Sequence, residues 1–221
     1  TALEQQRKGK AIRLNEKTAS FIEWSRKLQE YGAKQSKKEK EYWKEEGKKA
    51  ARGKIAGEYE LSKPGMQELE FSREVTEILL KKAGNVCGAR IEEVLLGGAA
   101  MAIGKITGQK QVAVRIEGHG REKLNEAIAI DRTVGWFTNI YEVNLECSED
   151  CRRSMIASKE AMRRVPNGGI GYGYAEQEGE AEVSFNYLGD FSGSSISYAG
   201  EYSCGEDIAE ENATSDKLVM N

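Results

Sequence analysis

The chain has 221 residues, 39% hydrophobic and 31% charged, enough to build a real core in one large domain or two small ones. Its net charge of −3, from 33 basic and 36 acidic residues, supplies no global positive field for a nucleic-acid backbone, and a mean hydropathy of −0.62 argues for a soluble protein. No apolar run approaches the roughly 20 residues of a membrane helix and no signal-peptide pattern opens the chain, so a cytoplasmic protein that binds neither nucleic acid nor membrane is expected.

Residues 1–18 are polar and basic with no sustained period and read as a connector. Ser20 with Glu23 three residues later is a capping-box pattern, after which Phe21, Trp24, Leu28 and Tyr31 fall on one face of a helix. Lys34 to Lys54 is dense in alternating charge, with Tyr42 and Trp43 as its only large apolar anchors. It reads as a solvated continuation of that helix, without chemistry of its own. Pro64-Gly65 predict a turn, and Met66, Glu68, Leu69 and Phe71 alternate loosely, as in a strand. Ser72 caps a predicted helix in which Val75, Ile78 and Leu79 share a face and which Gly84-Asn85 would stop. The apolar run from Arg90 to Gly108 predicts a buried helix, with Gly97, Gly98 and Ala99 permitting a close neighbour.

Val112, Val114 and Ile116 alternate strictly, which predicts a half-buried strand that delivers Glu117 at its end. Residues 131–146 mix a turn with a second strand. From Ser148 the pattern is helical: Ser148 caps it, Glu149 and Asp150 fill its first turn, Arg163 and Arg164 its last, and Pro166 lies beyond. A glycine-rich loop at 170–180 leads to a strand at 181–191 with Val183, Phe185 and Tyr187 on one face. The tail from Ser192 is rich in Ser, Gly and acids, with one short strand candidate, SISYA. Helices interleaved with several strands give an α/β or α+β fold with a mixed sheet.

Several groups could carry chemistry. Glu117, at a strand end before a glycine, is either a rigidly held base or the partner of Arg115 or Arg121 in a surface ion pair. His119, the one histidine, sits between two glycines and reads either as an acid/base group or as a hydrogen-bonded loop residue. Residues 166–173, PNGGIGYG, lack the Lys-Ser/Thr of a phosphate loop and follow a helix rather than a strand. Tyr187 is read as core packing, Trp136 and Phe137 as packing anchors. Cys87, Cys147, Cys151 and Cys204 form no second pair and no histidine joins them, so no metal site and reduced thiols are expected.

Four segments change these readings together: EGHGRE at 117–122, DRTVGWFTNIY at 131–141, VPNGGIGYG at 165–173 and FNYLGDF at 185–191. Their order and approximate spacing resemble the later motifs of epimerization domains of nonribosomal peptide synthetases. TASFIEWSRKLQEY at 18–31 with Tyr42-Trp43, and IEEVLLGGAAMAIGK at 91–105, are similar to earlier segments of the same family. The resemblance covers roughly residues 1–221 and is strongest over 17–191. Two positions depart from the family: Glu142 follows Tyr141 where Pro is usual, and Ser192 follows Phe191 where Asp is common.

The resemblance implies the condensation-domain superfamily and its chloramphenicol-acetyltransferase-like fold of two lobes around a tunnel. It matches the second lobe only, so residues 1–221 are expected to be a C-terminal lobe. The HHxxxDG motif of the family, with its catalytic histidine, would lie before Thr1, and further strands would follow Asn221. The implied reaction inverts Cα of an aminoacyl or peptidyl thioester, with Glu117 as one acid/base group and the upstream histidine as the other. Asn186 and Tyr187 are implied to hydrogen-bond the enolate or substrate, and His119, Arg121 and Trp136 to orient the surroundings of Glu117. No cofactor is expected on the chain itself. The implied partners are a peptidyl carrier protein with its 4′-phosphopantetheine arm, the first lobe, and neighbouring synthetase modules. Condensation, forming a peptide bond between carrier-bound substrates, and a noncatalytic carrier-docking lobe are the alternative readings.

Overall fold

Strand β1 (Gln111–Gly118) lies inside a mixed sheet whose order is β2-β1-β3-β4, with β2 Asn139–Glu146, β3 Val183–Phe185 and β4 Leu218–Met220. The computed structural model describes residues 2–14, 16–50, 53–55, 65–124, 128–175, 180–189 and 216–221. β1 runs antiparallel to β2, from Gln111 opposite Glu146 to Gly118 opposite Asn139, and parallel to β3; β3 and β4 are also parallel. The expected mixed-sheet α/β architecture is therefore present.

The helices are α1 (Ala2–Arg7), α2 (Phe21–Ala33), α3 (Lys37–Ala50), α4 (Arg73–Ile78), α5 (Gly84–Cys87), α6 (Ile91–Thr107) and α7 (Cys151–Arg164). A π-turn, Leu79–Ala83, joins α4 to α5. Val112, Val114 and Ile116 share one face of the sheet with Leu145, Val143 and Tyr141, their register partners, and form the main core with Leu96, Ala100 and Ile103 of α6 and Ala161 and Met162 of α7. Each buried Val, Leu or Ile among them contributes about 1.5–3 kcal/mol. On the other face, Ala113 packs with Ala50 of α3 and Ala181, and Asn144 donates to the carbonyl and the carboxylate of Glu46 in α3. The expected half-buried strand is thus present, with Gln111 and Glu117 of the second face exposed and Arg115 half-buried; Ala113 alone on that face is buried, because a helix covers it.

Other expectations change for local reasons. Residues 2–7 are helical, and Gln5 brackets the backbone of Arg13 at 2.7 and 3.1 Å, so the start is not a featureless connector. Ser20 and Glu23 form the expected capping box on α2. The charge run is a separate helix, α3, started by Ser36, whose Oγ accepts from the N–H of Glu39 at 3.2 Å. Glu39, Trp43 and Ala50 make one face of α3 buried rather than solvated. Residues 66–71 form no strand, and residues 58–64 of that segment lie outside the described residues. Gly84-Asn85 does not stop the helix; it runs on to Cys87, and Gly88 ends it at φ 57°. Asp150 caps α7 by accepting from Arg153 N–H at 2.6 Å, while Ser148 accepts from Asp150 N–H just before it. Gly97 admits the backbone of Met155 in α7, whereas Gly98 faces open space. β3 ends at Phe185, so Tyr187 lies beyond it, and SISYA lies outside the described residues. Among the described residues no helix is long and apolar enough to cross a membrane.

Candidate active site

At the C-terminal end of β1 the sheet opens into a cavity of about 250 Å³, lined among others by Glu117, His119, Tyr187, Arg90, Glu92, Glu122 and Tyr141. β1 delivers Glu117 to its rim, as the strand pattern predicted. The side chain is exposed and makes no hydrogen bond or ion pair among the described residues. The ion-pair reading fails because both candidate partners are engaged elsewhere. Arg115 pairs with Asp216 and, at 3.2 Å, with Glu180. Arg121 donates to the carbonyls of Ile130 at 2.6 Å and Thr133 at 3.0 Å and lies 3.9 Å over the Phe137 ring. An unpaired carboxylate on a rigid strand end is free to accept a proton.

His119 Nδ1 accepts the N–H of Arg121 at 2.9 Å, which leaves the Nε2 proton directed at Glu122 Oε1, 3.2 Å away. The imidazole therefore shapes the loop and orients Glu122. Gly120, at φ 63°, has the Phe137 carbonyl where a Cβ would stand, so only glycine closes this loop.

Val165 and Gly168 add to the lining, and the segment 166–171 that carries Gly168 is held by helices far away in sequence. The Tyr31 hydroxyl donates to Glu39 and accepts from Asn167 Nδ2 at 2.7 Å; Gln35 Nε2 donates to the carbonyl of Gly171 at 2.8 Å. Burial, then the bond to Glu39, pushes the Tyr31 phenol up to about 12, so it stays a donor. Asn167, Gly168 and Gly169 all have positive φ, and a Cβ on Gly169 would overlap the Tyr141 ring. Asn139 Nδ2 donates to the Gly168 carbonyl at 2.8 Å. The glycine-rich segment is clamped in place, with the Gly168 and Gly171 carbonyls spent on protein partners.

Of the residues singled out from sequence, Glu117, His119 and Tyr187 line the cavity together. Arg121 stands behind the wall and braces residues 130–133. Asn186 is not on the lining; its N–H donates to the Met220 carbonyl at 2.9 Å and ties β3 to β4. Trp136 is not the packing anchor expected: it is 82% exposed and makes no ring contact among the described residues, while Phe137 takes the inward position against Phe21, Trp24 and Arg121. Sequence reasoning missed Arg90, Glu92, Glu122 and Tyr141. Glu122 closes the EGHGRE segment and Tyr141 shares the alternation of β2, but only the register of β2 on β1 puts Tyr141 opposite Ile116 beside the cavity. The described residues hold no cluster of three or more His, Cys, Asp or Glu suited to a metal ion.

The family model described as Condensation domain matches residues 2–217. Bacitracin synthase 3 of Bacillus licheniformis is 33% identical, over 100% of this chain and 4% of the relative. The epimerization domain from the third module of tyrocidine synthetase B superposes with a TM-score of 0.63 at 26% identity, over 84% of this chain and 46% of that one. The first condensation domain of the CDA synthetase gives 0.60 at 21% identity, over 87% and 45%, which shows the fold alone. The chain thus spans a small fraction of its curated relative and just under half of each solved domain.

Proposed function

The chain belongs to the condensation-domain family, and from that premise we propose that it is the second lobe of an epimerization domain of a nonribosomal peptide synthetase. The substrate would be an aminoacyl or peptidyl thioester on the phosphopantetheine arm of a carrier protein. The first lobe would close the open side of the cavity, and neighbouring modules would deliver and receive the carrier. Glu117 removes the α-proton; the Cα–H electron pair moves into the thioester carbonyl, giving an enolate. The histidine of the first lobe's HHxxxDG motif returns a proton to the opposite face, inverting Cα. Tyr187, which lines the cavity, would hydrogen-bond the enolate or substrate, while Arg121 and His119 hold the loop that follows Glu117.

The observation that carries this reading is Glu117 itself: an unpaired carboxylate at the end of β1, on the rim of a cavity, within the EGHGRE segment. The likeness to a solved epimerization domain supports it. The test is deuterium wash-in at Cα of an aminoacyl thioester on a carrier protein, catalysed by the intact two-lobed domain in D2O. Wash-in with formation of the D-epimer is expected; peptide-bond formation without wash-in would make the domain a condensation catalyst, and binding without either reaction a docking lobe. The 221-residue chain alone is expected to be inert, and exchange by it would refute the two-lobe assignment.

A further inference from the structure

Around the cavity the three carboxylates of Glu92, Glu117 and Glu122 face one guanidinium, that of Arg90. Arg90 is engaged at the start of α6: Nη1 lies 3.0 Å from Glu92 and Nε 3.2 Å from the wholly buried Glu93. Glu117 and Glu122 are left to make the wall net negative. Glu122 is a placed group. Beyond the contact with His119, a Cβ on Gly168 would stand 2.5 Å from its carboxyl carbon, so the backbone there closes on the carboxylate.

A second feature of the same cavity points to a ligand. Tyr141 is only 6% exposed and lines the cavity, yet its hydroxyl has no hydrogen-bond partner among the described residues. The ring is buried, and the oxygen stays accessible from the cavity, where a donor can reach it. Burial, with Glu122 and Glu92 acting against Arg90, pushes Tyr141 up to about 12, so it stays neutral and offers its oxygen as an acceptor.

We propose that Glu122 and Tyr141 form a subsite for a primary ammonium group of the substrate, with Glu122 as its counter-ion. The proposal rests on the α-proton exchange above and names the class of thioester served: one with a free ammonium, either the α-ammonium of an aminoacyl group or the side-chain ammonium of a basic residue. An ammonium is a compact group with three donors, matched by a carboxylate and a phenol oxygen. A neutral amide in its place would leave the charge on the wall uncompensated and these acceptors poorly filled.

The experiment is calorimetric binding of three stable pantetheine amides to the intact domain: alanyl, N-acetylalanyl, and N-acetyl-lysyl with a free side-chain amine. At least one of the ammonium-bearing probes is expected to bind about tenfold or more tightly than N-acetylalanyl, as charge-assisted hydrogen bonds allow. Preference for the alanyl probe identifies the α-ammonium as the source, and preference for the lysyl probe the side chain. Glu122→Gln is expected to reduce the preference to under about threefold with an unchanged melting midpoint, and Tyr141→Phe to weaken it while the ring keeps its packing. Equal binding of all three probes, or a preference that survives Glu122→Gln, overturns the proposal. Binding is read without turnover, so a domain that prefers ammonium probes but washes in no deuterium refutes the epimerization reading and leaves the subsite standing.

Discussion

The Tyr31 hydroxyl stands 2.7 Å from both carboxylate oxygens of Glu39, joining α2 to α3 through a buried acid. Through Asn167 the same hydroxyl reaches the wall of the cavity. Tyr31→Phe leaves the Glu39 carboxylate without that donor and is expected to cost about 1.5–3 kcal/mol, read by urea unfolding. A change below about 0.5 kcal/mol would show that the clamp contributes nothing to stability.

Gly169 combines φ 84° with contact against the Tyr141 ring. Gly169→Ala meets both the left-handed backbone penalty and the overlap, for an expected loss of about 2–4 kcal/mol. Gly98→Ala, facing open space inside α6, is the control and should be neutral to slightly stabilising. Thermal melts of the two variants side by side decide the matter.

Glu117 is exposed and unpaired, so Glu117→Gln should leave the melting midpoint unchanged. In the intact domain it is expected to slow deuterium wash-in by about 10²–10⁴-fold, the usual contribution of a positioned base. Exchange at the parent rate would remove Glu117 from the mechanism.

Glu142 is 3% exposed and accepts from the N–H of Ala181 at 2.7 Å and from the Tyr172 hydroxyl. Burial nevertheless raises its carboxyl above the ordinary 4.5. A carboxyl that holds its proton more tightly when folded contributes stability that is fully present below its unfolded value and lost as pH rises through the folded one. Glu142→Gln, neutral at every pH, should therefore gain stability relative to the parent at pH 7, and the gain should shrink below about pH 4.5. A difference that does not change with pH, followed by urea unfolding at both values, would contradict this.

Trp136, in the loop after residue 133, is exposed and makes no ring contact among the described residues, while its neighbour Phe137 is buried. Trp136→Ala should change stability by less than about 0.5 kcal/mol, whereas Phe137→Ala should cost about 3–5 kcal/mol. Chemical unfolding of both variants tests the assignment, and a large loss for Trp136→Ala would mean that it packs within the chain.

What the sequence by itself determined is what short-range chemistry dictates. The capping box of Ser20 and Glu23, the apolar run of α6, the alternation of Val112, Val114 and Ile116, and Glu117 at the strand end were all legible, because each depends on neighbours a few residues away. The segment EGHGRE likewise marked one side of the cavity. What only the tertiary structure decided depends on which surfaces meet. Glu39 sits in a charge run that reads as solvated until Tyr31 and the 166–171 segment cover it. Ala113 and Glu142 became buried because a helix or a neighbouring segment closes the second face of the sheet. Trp136 and Phe137 are adjacent and alike in hydrophobicity, and only the packing of Phe21 and Trp24 decides which of them turns inward. Tyr141 and Glu122 reached the cavity through strand register and a loop closed by glycine, partners separated too far along the chain for any local pattern to announce them.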